Sequence, residues 1–238
     1  MILHLSNYLL IGIAFLTSTL TAITGVGGGV LLISIMALLL PPHVVVPLHG
    51  VVQLGSNASR AAFGWRMFAW QYFWPFLFGV VIGATLGQPL VSLLPTQIFP
   101  LILGVFILVV VWLPVGEWVL RIPGRYFSLG IFQTFISLFV GAPGPLSATL
   151  LYCEKLSRDQ YVATNALLQT SVHVAKFMVF ASLGFAFSTY IPLLLGMLIG
   201  SILGSWFGTC IRGHVPEELF RNIARVMLSI LALRLLTR

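Results

Sequence analysis

Charge is nearly absent from this chain. Asp, Glu, Lys and Arg make up 7% of its 238 residues, against 59% hydrophobic residues and a mean hydropathy of +1.06. A soluble surface needs about a quarter of its residues charged, so the composition excludes a water-soluble globular protein and indicates an integral membrane one. Acids are scarcer still. The five are Glu117, Glu154, Asp159, Glu217 and Glu218, all in or beside expected loops. Carboxylate coordination of a cation, or an acid-based proton relay within the membrane, therefore has no residues to work with. The two cysteines, Cys153 and Cys210, form neither a CxxC motif nor a disulfide framework and read as small apolar residues. The start, MILHLSNYLL, lacks the basic region and cleavage site of a signal peptide and reads as the beginning of the first membrane segment.

What is present is a set of apolar segments, at about 8–23, 28–40, 44–63, 68–93, 97–114, 126–140, 144–156, 160–186, 190–210 and 218–236. Proline, glycine or charge breaks most of the joins. A span needs about 20 apolar residues, so the chain is expected to be one all-α polytopic membrane domain over 1–238. Its plan is duplicated: half 1 covers 1–114, a linker 115–125, and half 2 covers 126–238. Two polar stripes carry the repeat. His49, Gln53, Asn57 and Arg60 recur as Asn165, Gln169, His173 and Lys176 at a constant offset of 116 residues. Spacing i, i+4, i+8, i+11 sets each stripe on one face of a helix. The glycines Gly25, Gly28 and Gly29 align at the same offset with Gly141, Gly144 and Pro145. Pro75, Gly79, Gly83 and Gly87 align with Pro192, Gly196, Gly200 and Gly204 at 117. These last glycines suit close helix packing, within one chain or between two copies.

Two segment pairs are too short to span singly: 8–23 with 28–40, and 126–140 with 144–156. Each is interrupted by a turn, TGVGGG at 24–29 and GAPGP at 141–145. Either each pair is one kinked span and the halves are parallel, or each is a re-entrant hairpin and the halves, with three further spans each, are inverted. The inverted reading collects Arg66, Arg121, Arg125, Lys155, Arg158 and Arg212 on one side with Arg238 opposite, whereas the parallel one splits them four against three. Cytoplasmic loops carry the Lys/Arg excess, which favours inverted repeats with both termini outside.

A polar face in hydrocarbon points into a bundle or wet cavity and marks a substrate route. Broken helices expose N–H groups at the start of their second halves, where the dipole also favours an anion. The candidate site therefore combines Gly25, Gly27, Gly28, Gly29, Gly141 and Gly144 with the eight stripe residues. Gln53 and Gln169 are expected to donate hydrogen bonds to an oxyanion. Arg60 and Lys176 would attract it from opposite faces, and charge reversal at Lys176 is expected to abolish transport in a folded protein. His173 is the best candidate for proton coupling. No metal spacing, nucleotide loop or cofactor motif is present. The excess of bases (net charge +7) is scattered over helix ends, which suits orientation signals and an anion path better than nucleic acid. Trp65, Trp70, Tyr72, Trp74, Trp112, Trp118 and Tyr126 read as membrane-interface anchors, and Glu217 with Arg221 as a structural i, i+4 pair.

On the motifs TGVGGG with PxxxxxPLHGVVQLGSNASR downstream, and GAPGP with TNALLQTSVHVAK downstream, the chain resembles the sulfite exporter TauE/SafE family of membrane transporters. The resemblance covers nearly the whole length. It implies a bacterial-type inner-membrane transporter of sulfur oxyanions such as sulfite, sulfonates or related organosulfur acids. The family's glycine-rich segments would correspond to Gly25 to Gly29 and to Gly141 to Pro145, the second departing from the pattern by its two prolines. A passive anion channel would share the stripes. An intramembrane enzyme built on His49, Ser56, Ser171 and His173 would lack an acid to orient either histidine.

Overall fold

The computed structural model describes residues 2–91, 93, 98–112, 124–214, 229, 233 and 236. Among these there are nine α-helices and no strand: α1 (Ile2–Thr24), α2 (Gly28–Leu39), α3 (Pro42–Phe63), α4 (Trp70–Val91), α5 (Phe99–Trp112), α6 (Arg125–Val140), α7 (Gly144–Tyr152), α8 (Arg158–Ser182) and α9 (Ile191–Ile211). Most of the linker at 115–125, Arg121, Trp118, the pair Glu217–Arg221 and nearly all of the last apolar segment lie outside the described residues.

The helix boundaries follow local chemistry. Pro42 occupies the first turn of α3, where a missing N–H is harmless. Ser157 and Gln160 form a reciprocal capping box at the start of α8. Gly25, Gly27 and Gly141 have φ of 84°, 98° and 81°, a backbone region that side-chain-bearing residues avoid, and these are the points where α1 and α6 stop. Among the described residues three stretches are long and apolar enough to cross a membrane, Asn7–Thr24, Trp70–Val91 and Phe187–His214. The first overturns the expectation that 8–23 is too short to span, because α1 runs for 23 residues from Ile2. Helices α3 and α8, at 22 and 25 residues, are long enough but carry the polar stripes.

The packing is reciprocal between halves. α1 lies against α9 and α4 against α6, while α3 and α8 pack on each other at the centre. The repeated glycines make the outer contacts. Gly200, Gly204 and Gly208 meet the backbone of Ile11, Phe15 and Thr19, so α9 and α1 run parallel; Gly79 and Gly83 meet Phe127 and Ile131 in the same way. These glycines are used within the chain, which removes them as a contact between copies. Helices α6 and α7 form a hairpin: Arg125, at its start, pairs with Glu154, just past its end, at 2.9 Å. With 16 and 9 residues, at about 1.5 Å rise each, neither arm reaches across a 30 Å hydrocarbon core.

Five of the basic residues assigned to one side do collect at one end of the bundle. Arg125 binds Glu154, next to Lys155, Arg212 binds Asp159 at 2.8 Å, and Arg158 donates to the Ile23 carbonyl. Arg66 lies in the turn whose Met67 lines a cavity shared with Asp159 and Arg212. One expectation fails at this end. Tyr126 is buried and Tyr72 half-buried; their rings stack at 4.5 Å and both hydroxyls donate to Glu154, so they lock the hairpin and do not anchor it in a lipid interface. Trp65, Trp70, Trp74 and Trp112 are exposed, as anchors require.

A side chain at Gly204 would overlap the Phe15 carbonyl, whereas the space around Gly12 is open. Gly204→Leu should destabilise the protein by about 3 kcal/mol, the usual scale of core overpacking, and Gly12→Ala should be close to neutral. Thermal unfolding in detergent, followed by size-exclusion profile, measures both.

Candidate functional site

The two stripes meet because α3 and α8 pack antiparallel through their polar faces. All eight stripe residues are buried. His49 and His173 come within 6.0 Å, ring to ring, on one side of the glutamine pair. Asn57 and Asn165 line the same chamber with Gln53 and Gln169. Both glycine turns arrive there too: Gly25, Gly27, Gly29 and Gly144 line the chamber, with Gly28 buried behind them against Thr17 and Thr21. Gly141 sits deeper, under Ile33 and Val46. A Cβ on Gly29 would press on Gln53, so glycine there allows the α2 start to approach that glutamine, whereas Gly144 lies against Gln169 with room for a methyl group. The free space is about 30 Å³, enough for about two waters.

Arg60 and Lys176 do not line it. The Arg60 guanidinium donates to Ser56 and Ser205 hydroxyls and to Asn57 Oδ1, and borders a separate cavity of about 310 Å³ beside Asp159 and Arg212. It is a tethered group and does not snorkel. Lys176 is fully buried; its Nζ donates to the Gly141 carbonyl, fixing the α6–α7 turn. The two cations nonetheless lie at opposite ends of the stripe pair, Arg60 toward the basic end and Lys176 toward the histidines.

The polar atoms are organised by fixed donors and acceptors. Asn165 Nδ2 donates to the Gly25 carbonyl at 2.8 Å, its Oδ1 accepts from Ser147 at 2.7 Å, and Gln169 Nε2 donates to Ser147 at 2.6 Å. On the other helix Asn57 Nδ2 donates to the backbone and side-chain carbonyls of Gln53. His49 Nε2 lies 2.9 Å from the Gly29 carbonyl and can only donate to it. Nδ1 of His49 and of His173, Oε1 of Gln133 and the Thr134 hydroxyl are buried with no partner among the described residues.

Sequence reasoning passed over Ser147, the junction of three site residues, and the buried polar row of the broken helices. Thr17, Ser18 and Thr21 on α1 correspond to Gln133, Thr134 and Ser137 on α6 at the same offset of 116. That repeat was a legible signal. Ser147 had none, since its counterpart is Leu31.

A polar chamber between two glycine turns, buried inside helices that are apolar outside, defines a membrane transport protein. Residues 10–235 match the family model for Sulfite exporter TauE/SafE, and the chain belongs to that family, whose members are membrane transporters of sulfur anions. No curated protein and no solved structure gives a match.

The pairing of Lys176 with a carbonyl changes what its charge reversal should do. Lys176→Glu would set a carboxylate against the Gly141 carbonyl and cancel folding, by about 3 kcal/mol or more for an uncompensated buried charge. Lys176→Met should fold with a loosened turn. Yield of monodisperse protein after purification separates the two variants.

Proposed function

We propose that the protein is a secondary transporter of a small sulfur oxyanion, working by alternating access in the inner membrane as a single domain of two inverted halves. The observation that carries this reading is the chamber itself, where both glycine turns and both glutamines converge on one small volume. Two helix starts, at Gly28 and Gly144, direct partial positive charge toward it, and no acid lies among its lining residues. Gln53 offers amide hydrogens to the anion. The Arg60 guanidinium and the Lys176 amine stand at either end of the stripes, and the guanidinium's charge favours an anion in the chamber.

Alternating access is supported by the size of the chamber and by the latches around it. The chamber is narrow, and the helices around it would part to let an anion in on one side and out on the other. At the basic end the arms are held by Arg125–Glu154, Arg212–Asp159 and Arg158 on the Ile23 carbonyl, partly exposed contacts at the rim of the bundle that would break and reform as the arms move. The opposite end holds an apolar cavity of about 220 Å³ between Pro42, Phe99, Phe139 and Phe180. Inversion is supported by the antiparallel packing of α3 on α8, the equivalent helices of the two halves, with Gly50 against Lys176 at one end and Gly64 against Ala163 at the other. The nearby His49 and His173 give proton coupling a candidate pair, His173 being the one without a backbone acceptor. The basic end would then face the cytoplasm.

Two measurements test the reading. In proteoliposomes loaded with unlabelled sulfite, saturable counterflow of labelled sulfite is expected. Gln53→Leu should reduce it about tenfold, the factor that corresponds to one lost hydrogen bond of 1.4 kcal/mol, and Arg66→Ala should leave it unchanged. Unitary currents in place of counterflow would favour a channel. On a cysteine-free background, Arg66→Cys and Lys155→Cys should both react with an impermeant maleimide from the same side of the membrane; labelling from opposite sides would overturn the inverted arrangement.

A further inference from the structure

The two chamber glutamines are equivalent by repeat but are held in opposite senses. Asn57 is oriented by two fixed groups: Arg60, which can only donate, binds its Oδ1 at 2.7 Å, and the Gln53 backbone carbonyl, which can only accept, takes its Nδ2. Asn57 Nδ2 therefore also donates to Gln53 Oε1 at 3.2 Å, and the Gln53 amide nitrogen is left for the chamber. On α8 the chain of bonds runs the other way. The Gly25 carbonyl fixes Asn165 Nδ2 as donor, so Asn165 Oδ1 accepts the Ser147 proton, and Ser147 must accept from Gln169 Nε2. Gln169 Oε1 meets no donor among the described residues. The cause lies in two positions where the repeat is broken: Leu31 stands where Ser147 would be, and His173 stands where Asn57 would be. One glutamine thus presents a donor to the chamber and the other an acceptor.

An acceptor facing an oxyanion is unfavourable unless the anion brings a hydrogen of its own, because a desolvated carbonyl without a donor costs more than a hydrogen bond returns. We propose that the chamber selects a singly charged oxyanion that still carries a proton, hydrogensulfite being the smallest sulfur example, with an anion oxygen on Gln53 Nε2 and its O–H on Gln169 Oε1. Ser147 is the positioning residue that sets this polarity. The inference rests on the transport reading and specifies the substrate of the same site.

The test compares hydrogensulfite with chlorate, a pyramidal anion of the same charge with three oxygens and no proton. Binding of each to the purified protein in nanodiscs is measured at one pH, at which sulfite is mainly hydrogensulfite, so that the protein's own titration is common to both. Hydrogensulfite should bind about tenfold more tightly. Gln169→Leu should bring the ratio close to one by weakening hydrogensulfite alone, while Gln53→Leu should weaken both anions together. Ser147→Ala, which releases the Gln169 amide to rotate, should also shrink the ratio. Equal or tighter binding of chlorate to the unaltered protein, or a ratio unmoved by Gln169→Leu, would overturn this selectivity and leave an anion transporter standing. Failure of folded protein to bind either anion would overturn the transport reading together with it.

Discussion

Hydrocarbon offers no hydrogen bonds, and the polar groups of this bundle must therefore turn inward, toward one another or toward the chamber. That constraint governs the packing of α3 against α8. Each helix alone carries a row of amide, imidazole and cationic groups that could not face lipid. Brought together antiparallel, the rows close on each other, and the broken ends of α1–α2 and α6–α7 fit into the remaining gap. The backbone carbonyls at the breaks are then used: Gly25 and Gly141, just past the ends of α1 and α6, accept from Asn165 and Lys176, and Gly29, in the first turn of α2, from His49. The turns are held by the stripes, and part of each stripe is satisfied by the turns.

Around this polar centre the glycines do a different job. Gly79, Gly83 and Gly87 on α4, and Gly196, Gly200, Gly204 and Gly208 on α9, bring backbones close enough for one helix of each half to lie along the broken helix of the other. In a membrane the association of helices gains little from the hydrophobic effect, and close van der Waals contact over a smooth face takes its place. The outer surfaces of the same helices carry exposed Trp74, Phe78, Ile199, Leu203 and Trp206, as a lipid-facing surface should.

The 116-residue sequence repeat runs through both sides of this centre, and departures from it give the centre its direction. Wherever the halves match, at the glutamines, the first turns and the small-residue rows, they build the frame. Wherever they differ, at Leu31 and Ser147 or at Asn57 and His173, they determine which atom of each amide is available. A perfectly symmetric chamber would offer the same face twice.

The membrane class, the duplicated plan, the two turns and the membership of the polar stripes were legible in the sequence, because each depends on composition or on a periodicity local to one helix. The offset of 116 even carried the polar rows of α1 and α6, from Thr17 to Ser137, although these were passed over among apolar neighbours. What the sequence could not supply was the partner of each group. Whether Arg60 and Lys176 open into the chamber or are tied off by Asn57 and Gly141 depends on contacts between residues far apart in the chain. The same holds for Tyr126, aromatic at a helix end and yet buried on Glu154. The opposed orientation of Gln53 and Gln169 was decided by tertiary structure alone, since an amide shows whichever end its neighbours leave free, and those neighbours meet only when the helices pack.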